Sequence, residues 1–125
     1  MRALKAFKVD VWVAKPARRP RWIRIPQVIV DSGSGATWLP ASHLRAAGIE
    51  VFKQSQVFGV PGGRHVTRDV GIALIRAGDF KTVDEVVFAA RGDLRLLGGR
   101  TLDGFNAVVD TKWRKLVSAG PIPAG

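Results

Sequence analysis

The sequence predicts an all-β domain, a small barrel or sandwich of short strands. Three observations carry this. Apolar residues recur with period two in many short runs, Gly and Pro cluster between the runs, and no long helical pattern interrupts them. The 125 residues are one domain's worth, enough to bury roughly two-thirds of the chain's surface around one core. Hydrophobic residues make up 46% and charged residues 24%, which excludes a chain disordered as a whole.

Taken in order, Phe7, Val9, Val11 and Val13 alternate with Lys8, Asp10 and Trp12 and predict a first strand. Pro16 and Pro20 break it, so residues 15–20 read as a loop. Residues 22–25 and 28–30 read as strand segments around Pro26, the second apolar enough to be buried. Asp31, Ser32, Gly33, Ser34 and Gly35 form a turn cluster, and residues 36–39 are extended again. Residues 40–47 suit a short helix, with Pro40 near its start, Leu44 inward and Gly48 at its stop. Residues 51–60 are extended, and Pro61, Gly62 and Gly63 make a hairpin tip. Val70, Ile72 and Leu74 alternate, Gly78 and Asp79 turn, and residues 83–89 return. Residues 94–97 form another short strand ending at Gly98 and Gly99, and residues 101–105 suit one helical turn. Two last strands, residues 107–109 and 115–117, flank a turn at Asp110 and Thr111. Residues 1–118 are the expected domain, and residues 119–125 a flexible C-terminal tail.

Charge and composition narrow the function. Lys and Arg number 20 against 10 Asp and Glu, a net +10. Residues 1–24 hold Arg2, Lys5, Lys8, Lys15, Arg18, Arg19, Arg21 and Arg24 against Asp10 alone, a net +7. Cations on phosphates and Trp12 and Trp22 on bases would bind nucleic acid. A solvated Arg-rich surface is the plainer reading, because no nucleic-acid motif accompanies the charge. The same cations would steer acidic substrates from a distance. The chain has no Cys, which removes disulfides, thiol catalysis and cysteine zinc sites. His43 and His65 are too few for a histidine-rich metal site, so no cofactor and no metal are expected. No run approaches the ~20 apolar residues of a membrane span. Residues 1–8 lack the apolar stretch of a signal peptide, and a cytoplasmic protein is expected.

The stretch that carries chemistry is residues 28–40. An apolar strand delivers one carboxylate, Asp31, into a loop of small residues where nothing else ionises. A catalytic carboxylate needs such a setting, with a rigid strand behind it and glycines that let substrate approach the backbone. Local chemistry alone also allows an ordinary Asx-turn, Asp31 accepting from the amides of Gly33 or Ser34. The triplet Asp31, Ser32, Gly33 is common in proteins. The longer run is more specific. Ile29, Val30, Asp31, Ser32, Gly33, Ser34, Thr37, Leu39 and Pro40 together resemble the active-site loop of retropepsin-like aspartic proteases. Leu44, Gly48 and Ile49 match the short helix and exit that follow it. Leu96, Leu97 and Gly98, then residues 100–105, resemble the family's second conserved element. Val108, Val109 and Asp110, then Lys115, Leu116 and Val117, are similar to the closing segment of its small bacterial members. Residues 5–118 are covered. Ser32 stands where Thr is commoner and Ser34 where Ala is commoner, and residues 15–24 are longer and more basic than the family's connection.

The resemblance implies a small closed acid-protease barrel with one short helix and a flap hairpin, holding half a site per chain. It implies a homodimeric aspartic endopeptidase, since the chemistry needs two carboxylates sharing a proton and this chain has one such loop. Asp31 would be catalytic, with one copy ionised to take a proton from water. Ser32 would brace the two loops across the two-fold axis, and Gly33 would lie beside a peptide or protein substrate. Residues 57–68 would be the flap, with Gly62 and Gly63 at its tip over the substrate. Asp103 and Asp110 read as structural, Trp38 as packed, Trp113 as part of a dimer surface, His43 as a surface residue and His65 as structural. Residues 33–35 are not a phosphate loop, because no Gly-Lys-Ser/Thr follows. Two other readings are a catalytically silent dimerisation module of the same fold and a basic nucleic-acid-binding module.

Overall fold

The alternation around Val11 becomes strand β1 (Lys8–Ala14), near the start of a computed structural model that describes residues 7–124. Arg2 and Lys5 of the basic segment and Gly125 of the tail lie outside the described residues. β2 (Ile23–Asp31) is one strand, where two segments around Pro26 were expected. The chain runs through Pro26 by bulging. Val9 pairs with Val28 but Val11 with Ile25, and Gln27 takes a left-handed φ of 60°. A bulge accommodates a residue with no N–H to give the ladder. β3 (Thr37–Pro40) leads into helix α1 (Ala41–Ala46), which Leu44 anchors inward and Gly48 terminates at φ 80°. β4 (Val51–Val60), β5 (Arg64–Ala77) and β6 (Phe80–Ala89) follow as two hairpins, turning at Gly62 and Gly63 and at Gly78. Then come β7 (Leu96–Gly98), helix α2 (Gly99–Phe105), β8 (Ala107–Asp110) and β9 (Lys115–Ser118).

The expectation of one short helix needs correction, because α2 is a second. Its inward face, Thr101, Leu102 and Phe105, is buried, and that burial extends the single turn read from the sequence. Asn106 ends it at φ 54° and donates its amide to the Gly120 carbonyl at 2.7 Å, which fastens the first residues of the tail.

The structure is mostly β. Hydrogen bonding runs β1-β2-β7-β3-β6-β5, and β1 also pairs with β5, so six strands close into a ring. β4 hangs outside the ring on β5, and β8 and β9 form a separate hairpin. β7 is inserted between two strands adjacent in sequence. It lies parallel to β2, with Asp31 opposite Gly98, and antiparallel to β3, with Trp38 opposite Leu96.

Val11, Val13, Ile25, Leu39, Leu44, Ile75 and Leu97 fill the interior of the ring. Along β5 the buried side is Ala73, Ile75 and Ala77, whereas Ile72 is exposed and Leu74 half-buried. A smaller cluster of Trp38, Val70, Val87 and Ala89 lies against Phe58 and Val66 of the β4–β5 hairpin. No described helix is long and apolar enough to cross a membrane.

Candidate active site

Asp31 is the last residue of β2 and is buried, with 6% of its surface exposed. The loop after it folds back on the carboxylate: the Gly33 N–H donates to Asp31 Oδ1 at 3.0 Å, and the Ser34 N–H donates to the Asp31 carbonyl at 3.1 Å. The loop is then clamped from the far side. Gly99 and Arg100, opening α2, donate their N–H groups to the carbonyls of Ser34 at 2.6 Å and Gly35 at 3.2 Å.

Beneath the loop runs a chain of buried hydrogen bonds with a fixed direction. The Gly98 N–H donates to Thr37 Oγ1 at 3.0 Å, Thr37 and Thr101 hydroxyls meet at 2.6 Å, and Thr101 donates to Asp84 Oδ2 at 2.8 Å. Because Thr101 gives its proton to the carboxylate, the Thr37 hydroxyl donates to Thr101. Strands β3, β6 and β7 and helix α2 are thereby locked together behind Asp31.

Asp31 opens onto a cleft of about 640 Å³. Its floor is Asp31, Gly33 and Ser34, and its roof is the inner face of the β4–β5 hairpin. Register sets that face: Phe58 pairs with Val66 and Val60 with Arg64, so all four share one side. Phe58 meets Trp38 edge-on with ring centroids 5.1 Å apart, which joins roof to floor. His65, paired with Gly59, belongs to the opposite parity and is exposed. The cleft wall carries Arg64, Arg68, Arg100 and Asp93. Arg68 and Asp93 make a two-pronged pair, Nε to Oδ2 at 2.7 Å and Nη2 to Oδ1 at 3.0 Å, and the Ala90 N–H adds a third bond to Asp93 at 2.8 Å. The Arg68 hydrogen bonds hold the Asp93 carboxyl below the usual carboxylate range, and Asp93 raises Arg68 in return.

Of the residues singled out from the sequence, Asp31 and Gly33 line the cleft. Ser32 is exposed beside them and is not among the lining residues. Gly62 and Gly63 sit at the hairpin tip with φ of 92° and 74°, also outside the lining, which reaches only to Pro61. Asp110 caps its own turn by accepting from the Trp113 N–H at 3.0 Å, and Trp113 is 67% exposed. Phe58, Arg64 and Arg68 fall within residues 57–68, expected as the flap, and Arg100 within residues 100–105, but the sequence singles out none of these, nor Asp93, as a cleft residue. Residues 56–60 do not alternate cleanly in sequence, so the inward side of Phe58 emerges only from its pairing with Val66 across the hairpin. Among the described residues no group of three His, Cys, Asp or Glu could hold a metal ion. No family model, no curated protein and no solved structure matches the chain.

Proposed function

We propose that the chain is one half of a homodimeric aspartic endopeptidase, its ring of strands an acid-protease barrel and its β4–β5 hairpin the flap. One observation carries this reading: a buried carboxylate on a clamped loop faces a cleft where the only other acid among the described residues, Asp93, is paired with Arg68. Asp93 cannot act as a base while it holds a guanidinium, so the second carboxylate has to come from a second Asp31. A two-fold axis through the loop supplies it. One carboxylate of the pair then takes a proton from water, the other donates a hydrogen bond to the scissile carbonyl, and water adds to give a tetrahedral diol. The exposed Ser32 hydroxyl is free in direction to reach the facing loop, and the Gly33 backbone flanks an extended peptide lying under the flap. The run from Ile29 to Pro40 that resembles the retropepsin-like loop supports the same reading.

The test is hydrolysis of a peptide library across pH by the wild-type chain and by Asp31→Asn, with a hydroxyl-bearing transition-state mimic as inhibitor. Cleavage at mildly acidic pH, blocked by the mimic and reduced at least about a thousandfold in the variant, is expected. Equal turnover in Asp31→Asn would sink the mechanism. Tight self-association without any turnover would favour the silent dimerisation module.

A further inference from the structure

We propose a second site: the outer face of the ring around Arg76 binds single-stranded nucleic acid. The argument begins with register. Trp12 of β1 stands opposite Arg24 of β2 on one side and Arg76 of β5 on the other, and Arg76 stands opposite Lys81 of β6. Directly paired residues point to the same face of a sheet, so these four make one row across four strands. The neighbours of alternate parity, Val11, Val13, Ile75 and Ala77, are buried inside the ring, which puts the row outside.

Within the row the Arg76 guanidinium lies 5.1 Å from the Trp12 ring centroid and 4.8 Å from that of Trp22. One cation thus holds two indoles in place. Aromatic groups ordered before binding lose less freedom when a base stacks on them. A hollow of about 450 Å³, lined by Trp12, Arg76, Gly78, Asp79 and Lys81, opens beside them. Among the described residues Asp79 is its one acid against the two cations Arg76 and Lys81.

The loop between β1 and β2 adds phosphate contacts. Arg18 and Arg19 are exposed, and neither pairs with an acid among the described residues. Three nearby cations are already engaged: Arg24 with Asp10 at 2.8 Å, Lys15 with Glu50 at 3.5 Å, and Arg21 with the Ala46 carbonyl at 3.0 Å. Pro16 and Pro20 restrict the loop, which keeps its cations presented at low entropic cost. Cations interleaved with aromatic rings suit a chain of phosphates with unstacked bases. A duplex hides its base faces. A lipid surface calls for protruding apolar side chains, and Trp12 and Trp22 are half-buried. The site shares no residue with the Asp31 cleft and does not depend on the protease reading.

The experiment measures anisotropy of a fluorescein-labelled 12-nucleotide oligo-dT, and of its RNA counterpart, with the full chain at 50 and 200 mM NaCl. A Trp113→Phe background removes the exposed indole from the tryptophan signal. Binding is expected with tryptophan quenching and an affinity that falls as salt rises. Arg18→Gln/Arg19→Gln, on an exposed loop, should lower the salt slope by about 1.4, roughly 0.7 per lost phosphate contact on a single strand. Trp22→Ala should weaken binding at least about fivefold, with Trp22→Phe restoring most of it. Asp31→Asn should bind as wild type. The proposal is overturned if neither oligonucleotide binds, or if the oligonucleotides bind no tighter than heparin and leave the tryptophan fluorescence unchanged. It is also overturned if anionic vesicles bind and oligonucleotides do not, or if the Arg18/Arg19 variant keeps the wild-type slope.

Discussion

Gly98 faces Asp31 across the parallel pairing of β2 and β7, and the space for a side chain there is already filled. A Cβ on Gly98 would collide with the Ala36 carbonyl, a backbone atom that cannot swing aside. Gly98→Ala is therefore expected to destabilise the fold by about 3 kcal/mol, the upper end for overpacking, read as a lower urea midpoint at constant slope. A midpoint within error of wild type would mean that the loop yields easily. Asp93 makes a different kind of prediction. Its carboxyl is held below the usual range by Arg68, so it binds a proton less readily folded than unfolded. The stability it contributes is present above the ordinary carboxylate value of 3.8 and is lost as pH falls through the lower folded value. Asp93→Asn should cost about 2 kcal/mol at pH 7 and narrow the difference between urea midpoints at pH 7 and pH 3. A variant as acid-sensitive as wild type would show that the pair is not a source of that sensitivity.

The β4–β5 hairpin is the element on which turnover depends in this reading. Gly62 and Gly63 both have left-handed φ, and nothing lies within 4 Å of where their Cβ atoms would be. The Cβ of a valine at either position meets nothing, so the substitution acts chiefly through backbone strain, about 1–2 kcal/mol each. Gly62→Val and Gly63→Val should lower kcat/KM about tenfold or more while shifting Tm by only a few degrees, because closure of the hairpin is what the tip controls. Unchanged kinetics in both variants would remove the hairpin from the mechanism. Elements of this kind were largely legible in the sequence. The turn glycines and the alternation around Val11 and Val70 marked strands and tips correctly. What was hidden depended on partners far along the chain. Pro26 looked like a break because the bulge that absorbs it needs β1 opposite. Ile72 looked equivalent to Val70 because only the packed ring shows that Ala73 and Ile75 are the inner parity. Asp31 could be found from its own loop, whereas Arg68 and Asp93, 25 residues apart, become neighbours only when β5 packs against the 90–95 turn.

At the scale of the whole molecule the reading requires two chains, so activity should depend on concentration. Specific activity of the wild-type chain is expected to fall on dilution through the range where sedimentation shows dimer giving way to monomer. Activity that stays proportional to protein where only monomer sediments would end the shared-site proposal. The ring has a further consequence for how the molecule behaves in company. Closure of β1 on β5 leaves the ring no open side, but the ten-residue β4 still borders it, with one flank of its backbone unpaired among the described residues. A long strand in that position invites another chain to add itself. Here the invitation is spoiled from within. The register against β5 slips twice between Val51 and Gln56, Ser55 is turned to φ 50°, and its N–H is taken by Asp69 Oδ1 at 2.9 Å. Lys53 adds a charge on the same stretch, paired with Glu85 at 3.0 Å. A strand so crooked is a poor template for the straight stacking that fibrils require, and the irregularity of β4 thereby guards the protein against its own aggregation.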